Sequence, residues 1–373
     1  MKKSDISFRH LLNELVKMKR GISDTIRRNG YVKFPNDFIF FGYGKNNELN
    51  DKFLCYTPNL KKITKLEKSD IVIVSGVGAT NPPTMGTMSE ILKLLDLQKK
   101  THIYLHFIVN DLGSINARNI SVEKVLNLAE QYVNFMKKLG FDEKYGEIVT
   151  HNDLDHQRIF SLVARVVGLS DFNNNTEVTD ETYDRLELRG RDFPVLVDHV
   201  FTATDVLYPI IKHKKRGVVV VSGLDEFYHA NIGGIALERM KKDKDLKNLI
   251  PQNVQVGAIY SRIIRGIYPY FKQSKSIPSS SVNLGQSEQQ IKKRIMNCKE
   301  EDEGMILEMI ELSSPWDREK ILDAKNKYKN RRMKNNEWRE IKKAYLSEVL
   351  RFKEMWDSSA VNEKDVRVLL FHK

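Results

Sequence analysis

The sequence has little cysteine: Cys55 and Cys298 are the two among 373 residues. Two are too few for a disulfide scaffold or a thiolate metal cluster, and both read as reduced thiols. No run approaches the ~20 apolar residues that cross a bilayer, and the opening residues, MKKSDISFRH, lack the apolar stretch of a secretory leader. The expectation is therefore a cytoplasmic protein without a membrane partner. Repeats of fixed period and long low-complexity tracts are also missing, which excludes solenoids and arrays. What is present is an ordinary globular composition, 41% hydrophobic and 29% charged, which excludes disorder and collagen. Lys+Arg 61 against Asp+Glu 49 leave a formal charge of +12. That excess suits a polyanion such as nucleic acid, and equally a solvated lysine-rich surface.

Residues 1–68 are mixed and basic and read as an appended N-terminal extension. The texture changes at Asp70. Ile71 to Gly76 (IVIVSG) is β-branched, unbroken and stopped by glycine, as expected of a strand buried on both faces. Ile103 to Val109, Glu147 to Thr150 and Gly217 to Gly223 (GVVVVSG) are further strand candidates. Helical patterns over Met88 to Leu97 and Val122 to Met136 lie between them. Such alternation implies crossover units and a parallel sheet. The fold class is α/β, a Rossmann-like doubly wound parallel sheet over residues 69–286. From Ser287 the strands stop, and Trp338, Ile341, Tyr345, Val349 and Phe352 recur at spacings of three and four, so residues 287–373 read as an all-α module.

Ligands of such sheets sit at the carboxyl ends of the strands, so the loops after the strands should share one site. The first loop, Gly76 to Thr87 (GVGATNPPTMGT), carries glycines that let backbone approach a ligand, and the helix that follows offers free N–H groups to a phosphate. The last, Lys272-Gln273-Ser274-Lys275-Ser276, places two ammonium groups and hydroxyls where a phosphate chain can be clamped. Each alone has a bland reading, a common turn and a solvated linker. Asp205 lies on an apolar helix, where an unpaired carboxylate is costly and a specific partner is implied. Asp111 reads as a substrate contact or a helix N-cap, and His106, inside an apolar strand, as a core histidine.

Together the two loops resemble the HIGH and KMSKS signatures of class I aminoacyl-tRNA synthetases, and further segments resemble the tryptophanyl/tyrosyl subgroup. Thr84-Met85-Gly86-Thr87 falls on HIGH, with threonine at both histidine positions and Ala79 in place of a proline. Val109-Asn110-Asp111-Leu112, Leu139-Gly140-Phe141-Asp142, Asn152-Asp153-Leu154-Asp155-His156 and Thr202-Ala203-Thr204-Asp205-Val206-Leu207 resemble further family segments. So do Gly223-Leu224-Asp225-Glu226 with His229, and Lys272 to Leu284 with Ile291-Lys292-Lys293.

The resemblance implies adenylation of an aromatic amino acid by ATP with Mg²⁺, followed by transfer to tRNA, in a homodimer. It implies catalytic roles for Lys272, Lys275, Thr84 and Thr87, and ATP contacts from Gly76, Gly78, Gly86, Gly223, Asp225, Ser274 and Ser276. Asp205, Thr202, Asp111 and Glu226 would meet the amino acid, tryptophan favoured over tyrosine, with no protein-bound metal. Residues 317–353 hold 13 Lys/Arg against 6 Asp/Glu, and within them Lys327, Arg331, Arg332 and Lys334 are tRNA-contact candidates. The loss of both HIGH histidines leaves an alternative: a divergent paralogue that no longer charges tRNA, either a regulatory or binding protein or an aminoacyl-adenylating enzyme with another acceptor.

Overall fold

A computed structural model describes residues 21–44, 48–117, 120–168, 171, 192–275, 277–331, 333 and 335–361. A six-stranded sheet in the order β1-β6-β5-β2-β3-β4 forms its centre. The strands are β1 (Phe53–Tyr56), β2 (Ile71–Gly78), β3 (Tyr104–Asn110), β4 (Gly146–Thr150), β5 (Gly217–Gly223) and β6 (Gln255–Ser261). The pairs β2–β3, β3–β4, β2–β5 and β5–β6 are parallel. Parallel pairing requires crossovers, and helices supply them. α1 (Met85–Thr101) joins β2 to β3, and α2 (Val122–Lys138) joins β3 to β4. α3 (Leu154–Ala164) and α4 (Asp192–Ile211) lie between β4 and β5 in sequence, and α5 (Tyr228–Lys242) joins β5 to β6. Ile71, Val72, Ile73 and Val74 are all buried, the reason the β2 run is unbroken rather than alternating. This is the Rossmann-like doubly wound architecture expected.

Two strands are not anticipated. Phe53 to Tyr56 fall within the supposed extension, yet they pair antiparallel with β6 as an edge of the central sheet, with Phe53, Cys55 and Tyr56 buried. Four residues are too few to display a pattern. β6 carries Gly257 and Ala258 at its middle, which dilutes its β-branched signal.

α2 stops where Gly140 takes a left-handed φ of 101°, and Phe141 N returns to Met136 O at 3.2 Å, closing the helix end. The family-like Leu139 to Asp142 segment is thus a helix stop. Beyond the sheet lie α6 (Glu288–Met296), α7 (Glu303–Ser313), α8 (Arg318–Lys329) and α9 (Asn335–Asp357). Trp338, Ile341, Tyr345, Val349 and Phe352 of α9 are buried, as their spacing predicts. α7 packs on α1, and Trp356 of α9 meets Tyr132 of α2 edge-on, ring centroids 4.9 Å apart. One buried cluster runs from Ile73 and Leu94 through Met305 and Met309 to Trp338 and Val349.

Candidate active site

The strand order reverses at β2, with β3 and β4 on one side and β5 and β6 on the other. A cleft of about 370 Å³ opens over the carboxyl ends of β2 and β5 at that point. Residues from the loop after β2, from α1, α4 and the loop after β5, and from the Lys272 loop all line it.

The Lys272 loop is stitched onto the start of α1. Met85 N donates to Val282 O at 2.9 Å, Leu284 N to Pro83 O at 2.9 Å, and Ser274 N to Ser280 Oγ at 3.0 Å. Lys275 Nζ donates to Gly78 O at 2.6 Å and lies 5.6 Å over the Tyr132 ring. That ring is held by its hydroxyl, which donates to Asn81 O at 2.8 Å, while Asn81 Nδ2 donates to Lys275 O at 3.0 Å. The Lys272 ammonium pairs with the Asp225 carboxylate. Asp225 folds back over Gly223, where an added Cβ would lie 2.3 Å from Asp225 Oδ1, so the glycine makes room for the acid. At Gly76 an added Cβ would lie 2.6 Å from Ile108 O.

Thr84 is the N-cap of α1: Oγ1 accepts from Thr87 N at 3.2 Å and lies 3.3 Å from Thr87 Oγ1. Both threonines and Gly86 line the cleft. Glu90, one turn on, accepts from Ser261 Oγ at 3.2 Å and lies 3.9 Å from Lys93. Burial holds the Glu90 carboxyl above the usual carboxylate range and pulls Lys93 down to about 8. Glu90, Asn81 and Tyr132 carry no motif that marks them in the sequence; Glu90 is reachable only by stepping one helical turn from Thr87.

On the α4 side, Asp198, Thr202 and Asp205 line the cleft at spacings of four and three, one face of the helix. Thr202 Oγ1 donates to Asp198 O at 3.2 Å, and Asn110 Nδ2 to Asp198 Oδ1 at 2.9 Å. Asp205 Oδ1 is hydrogen-bonded to His151 Nε2 at 3.0 Å and to His156 Nε2 at 2.8 Å. Burial opposes ionisation of Asp205, but the two histidines outweigh it and hold the carboxyl well below the usual range. Glu226 and Ser274 also line the cleft. Asp111 does not. It is buried, and its Oδ1 accepts from Leu112 N, the next backbone N–H, at 2.8 Å. His106 is a core histidine, its Nδ1 2.9 Å from Glu147 and its ring stacked on Tyr208.

Lys327 pairs with Asp323 at 2.7 Å on α8, and Arg331 lies 4.1 Å over the Tyr328 ring. Ser276, Arg332 and Lys334 lie outside the described residues. Arg262, at the cleft wall, donates to Glu311 of α7 at 2.9 Å, and Glu311 also meets Lys325 of α8 at 3.6 Å. Among the described residues no helix is long and apolar enough to cross a membrane.

A doubly wound sheet with a cleft at its switch point, two lysines on a loop stitched to the first crossover helix, and a helical C-terminal part match the Rossmann-like fold of class I synthetases. Residues 66–360 match the family described as "tRNA synthetases class I (W and Y)", and the chain belongs to that family. No curated protein sequence matches it. Among solved structures it is similar to a tryptophanyl-tRNA synthetase from Encephalitozoon cuniculi bound to tryptophan, 14% identical over 93% of this chain and 98% of that one, with a TM-score of 0.64. A tryptophanyl-tRNA synthetase homologue from Entamoeba histolytica is 13% identical over 93% and 95%, TM-score 0.66. A tyrosyl-tRNA synthetase from Archaeoglobus fulgidus complexed with L-tyrosine is 14% identical over 81% and 93%, TM-score 0.55.

Proposed function

We propose that the chain activates an aromatic amino acid with ATP, tryptophan favoured over tyrosine, and passes the aminoacyl group to tRNA. The observation that carries this is the convergence of Lys272 and Lys275 with the Gly76–Gly78 turn and the start of α1 on one cleft. The amino-acid carboxylate, held on the α4 side, attacks the α-phosphorus in line. Adenylate forms and pyrophosphate leaves, and the protein's part is orientation and charge stabilisation. Lys272 and Lys275 meet the charge growing on pyrophosphate, and the Thr84 and Thr87 hydroxyls donate to phosphate oxygens. Mg²⁺ would come with the ATP phosphates and would supply charge neutralisation there. Lys327 and Arg331 belong to the basic surface for tRNA phosphates, and Arg332 and Lys334 continue it in the sequence. We place the protein in the cytoplasm as a homodimer, in keeping with its family.

The test is ATP–pyrophosphate exchange against all twenty amino acids, with Lys275→Ala as control. Exchange with tryptophan that the control abolishes is expected; no exchange with any amino acid would overturn the proposal. A second reading is a paralogue that binds without charging, since Thr84 and Thr87 stand where the family signature has histidines. Exchange without acylation of any tRNA would support a different acceptor.

A further inference from the structure

The two loop lysines are held in different ways. The Lys272 ammonium meets the Asp225 carboxylate, which offsets its charge. Lys275 is held by Gly78 O, which accepts from Nζ at 2.6 Å, and by the Tyr132 ring, whose centroid lies 5.6 Å from Nζ. Both of these holders are neutral. A carbonyl and a ring face orient an ammonium without cancelling its charge, because the attraction is to a dipole and a quadrupole.

Tyr132 lies on α2 with Leu128, Phe135 and Met136, on the inward face of that helix, and it is fully buried. Burial pushes its phenol well above the ordinary value, so the hydroxyl stays protonated and able to donate. It donates to Asn81 O at 2.8 Å, and Asn81 Nδ2 donates to Lys275 O at 3.0 Å. Lys275 is thus gripped at both ends. Asn81 fixes its backbone, and the ring that fixes Asn81 lies under its ammonium.

The end of α9 stands behind this ring. Trp356, 3% exposed, meets Tyr132 at 4.9 Å and Phe135 at 5.3 Å, edge-on in both cases. Gln131 Nε2 donates to Trp356 O at 2.9 Å, and Lys138 Nζ to Ser358 Oγ at 2.9 Å. Three residues before Trp356, Lys353 Nζ donates to Leu284 O at 3.4 Å, at the far end of the segment that begins at Lys272. The last turns of α9 therefore touch both the helix that carries the ring and the loop that carries the lysine.

We infer that Tyr132 and Asn81 are positioning residues that hold Lys275 aimed at the phosphates, with Trp356 backing the ring. This rests on the reading of Lys275 as a phosphate contact and adds what regulates it: adenylation depends on how the end of α9 is seated against α2. A leucine at 132 would fill the space without offering a face to the cation. A phenylalanine would keep the face and give up the bond to Asn81.

The test is ATP–pyrophosphate exchange with the full chain, reading kcat and the amino-acid KM separately, beside thermal melting. Tyr132→Leu should lower kcat by about tenfold, the order of a desolvated cation–ring contact, and leave KM unchanged. Tyr132→Phe should retain most of kcat. Asn81→Ala and Trp356→Leu should each lower kcat several-fold at unchanged KM, and they carry the comparison should Tyr132→Leu not fold. NMR of a ¹³C-lysine-labelled chain gives a readout without any ligand. The Lys275 ε-protons, assigned by their loss in Lys275→Ala, should show through-space contacts to the Tyr132 ring that weaken in Trp356→Leu. If no amino acid supports exchange, the proposed function fails, and these contacts alone judge the positioning. Their absence in the wild type, or full strength in Trp356→Leu, would overturn it. So would equal kcat losses in Tyr132→Phe and Tyr132→Leu, an unchanged kcat in Asn81→Ala and Trp356→Leu, or a loss carried by KM.

Discussion

Lys272 and Asp225 neutralise one another across the cleft, so the first lysine of the clamp loop is held by the first acid after β5. Under the proposed function, ATP would draw that ammonium onto its phosphates. Lys272→Ala should lower kcat for pyrophosphate exchange by about 100- to 1,000-fold, the usual cost of removing a transition-state donor. The KM for the amino acid should hardly move. An unchanged kcat would remove Lys272 from the chemistry.

The fit of Asp225 over Gly223 gives a second expectation. Gly223→Ala leaves the backbone relaxed, since its φ is −63°, but the new methyl must push the carboxylate aside. ATP affinity should weaken by about tenfold, roughly 1.4 kcal/mol, with the thermal midpoint nearly unchanged. Nucleotide titration beside a melting curve separates the two effects.

Thr84 is both cleft wall and helix cap. Thr84→Val removes the oxygen that accepts from Thr87 N and should cost about 1 kcal/mol in urea unfolding. Thr84→Ser keeps the oxygen and should cost much less; equal losses from both would contradict the capping role.

Acid stability follows from carboxylates held by nitrogen partners. Glu147 lies 2.9 Å from His106 and 2.6 Å from His213, and Asp96 lies 2.5 Å from Lys52. Burial alone would raise both, yet their partners leave both lowered. Acids with depressed values stabilise the fold fully above their unfolded values of about 4, and that contribution is lost as pH falls through the folded values. Urea midpoints should therefore decline steadily below pH 4, and less steeply in Glu147→Gln. His151, raised by Asp205, acts in the opposite sense: its contribution is complete below about pH 6.5 and is lost as pH rises through its folded value.

For the basic C-terminal surface, Lys327→Glu and Arg331→Glu should weaken tRNA binding and reduce its salt slope by about one for each phosphate no longer neutralised. Pyrophosphate exchange should be unaffected. Filter binding across salt concentrations checks this, and an unchanged slope would move the RNA-binding surface elsewhere.

How far the sequence is legible depends on how local the cause is. β2 and β5 announce themselves because both faces of each are buried, forcing runs such as VVVV over Val218 to Val221. β1 and β6 do not, since four residues or a Gly-Ala centre leave little pattern to read. The two clamp lysines are readable as a spacing. That Asp205 requires a partner follows from its apolar helix, but that the partners are His151 and His156, about fifty residues upstream, is tertiary information. Asp111 shows the converse: a motif-like acid at a strand end whose carboxylate accepts from the next backbone N–H, a local contact that the motif does not reveal.

The buried cluster that runs from Ile73 through Met305 to Trp338 has a consequence for how such a chain can be recombined. The C-terminal helices contribute apolar side chains to the same interior that seats the sheet. Exchanging them for those of a relative would import a replacement for part of the protein's interior along with a new outer surface. Grafts cut at residue 287 would then fail as packing mismatches before recognition could be measured, and recombination would have to carry α1 and its partner α7 together.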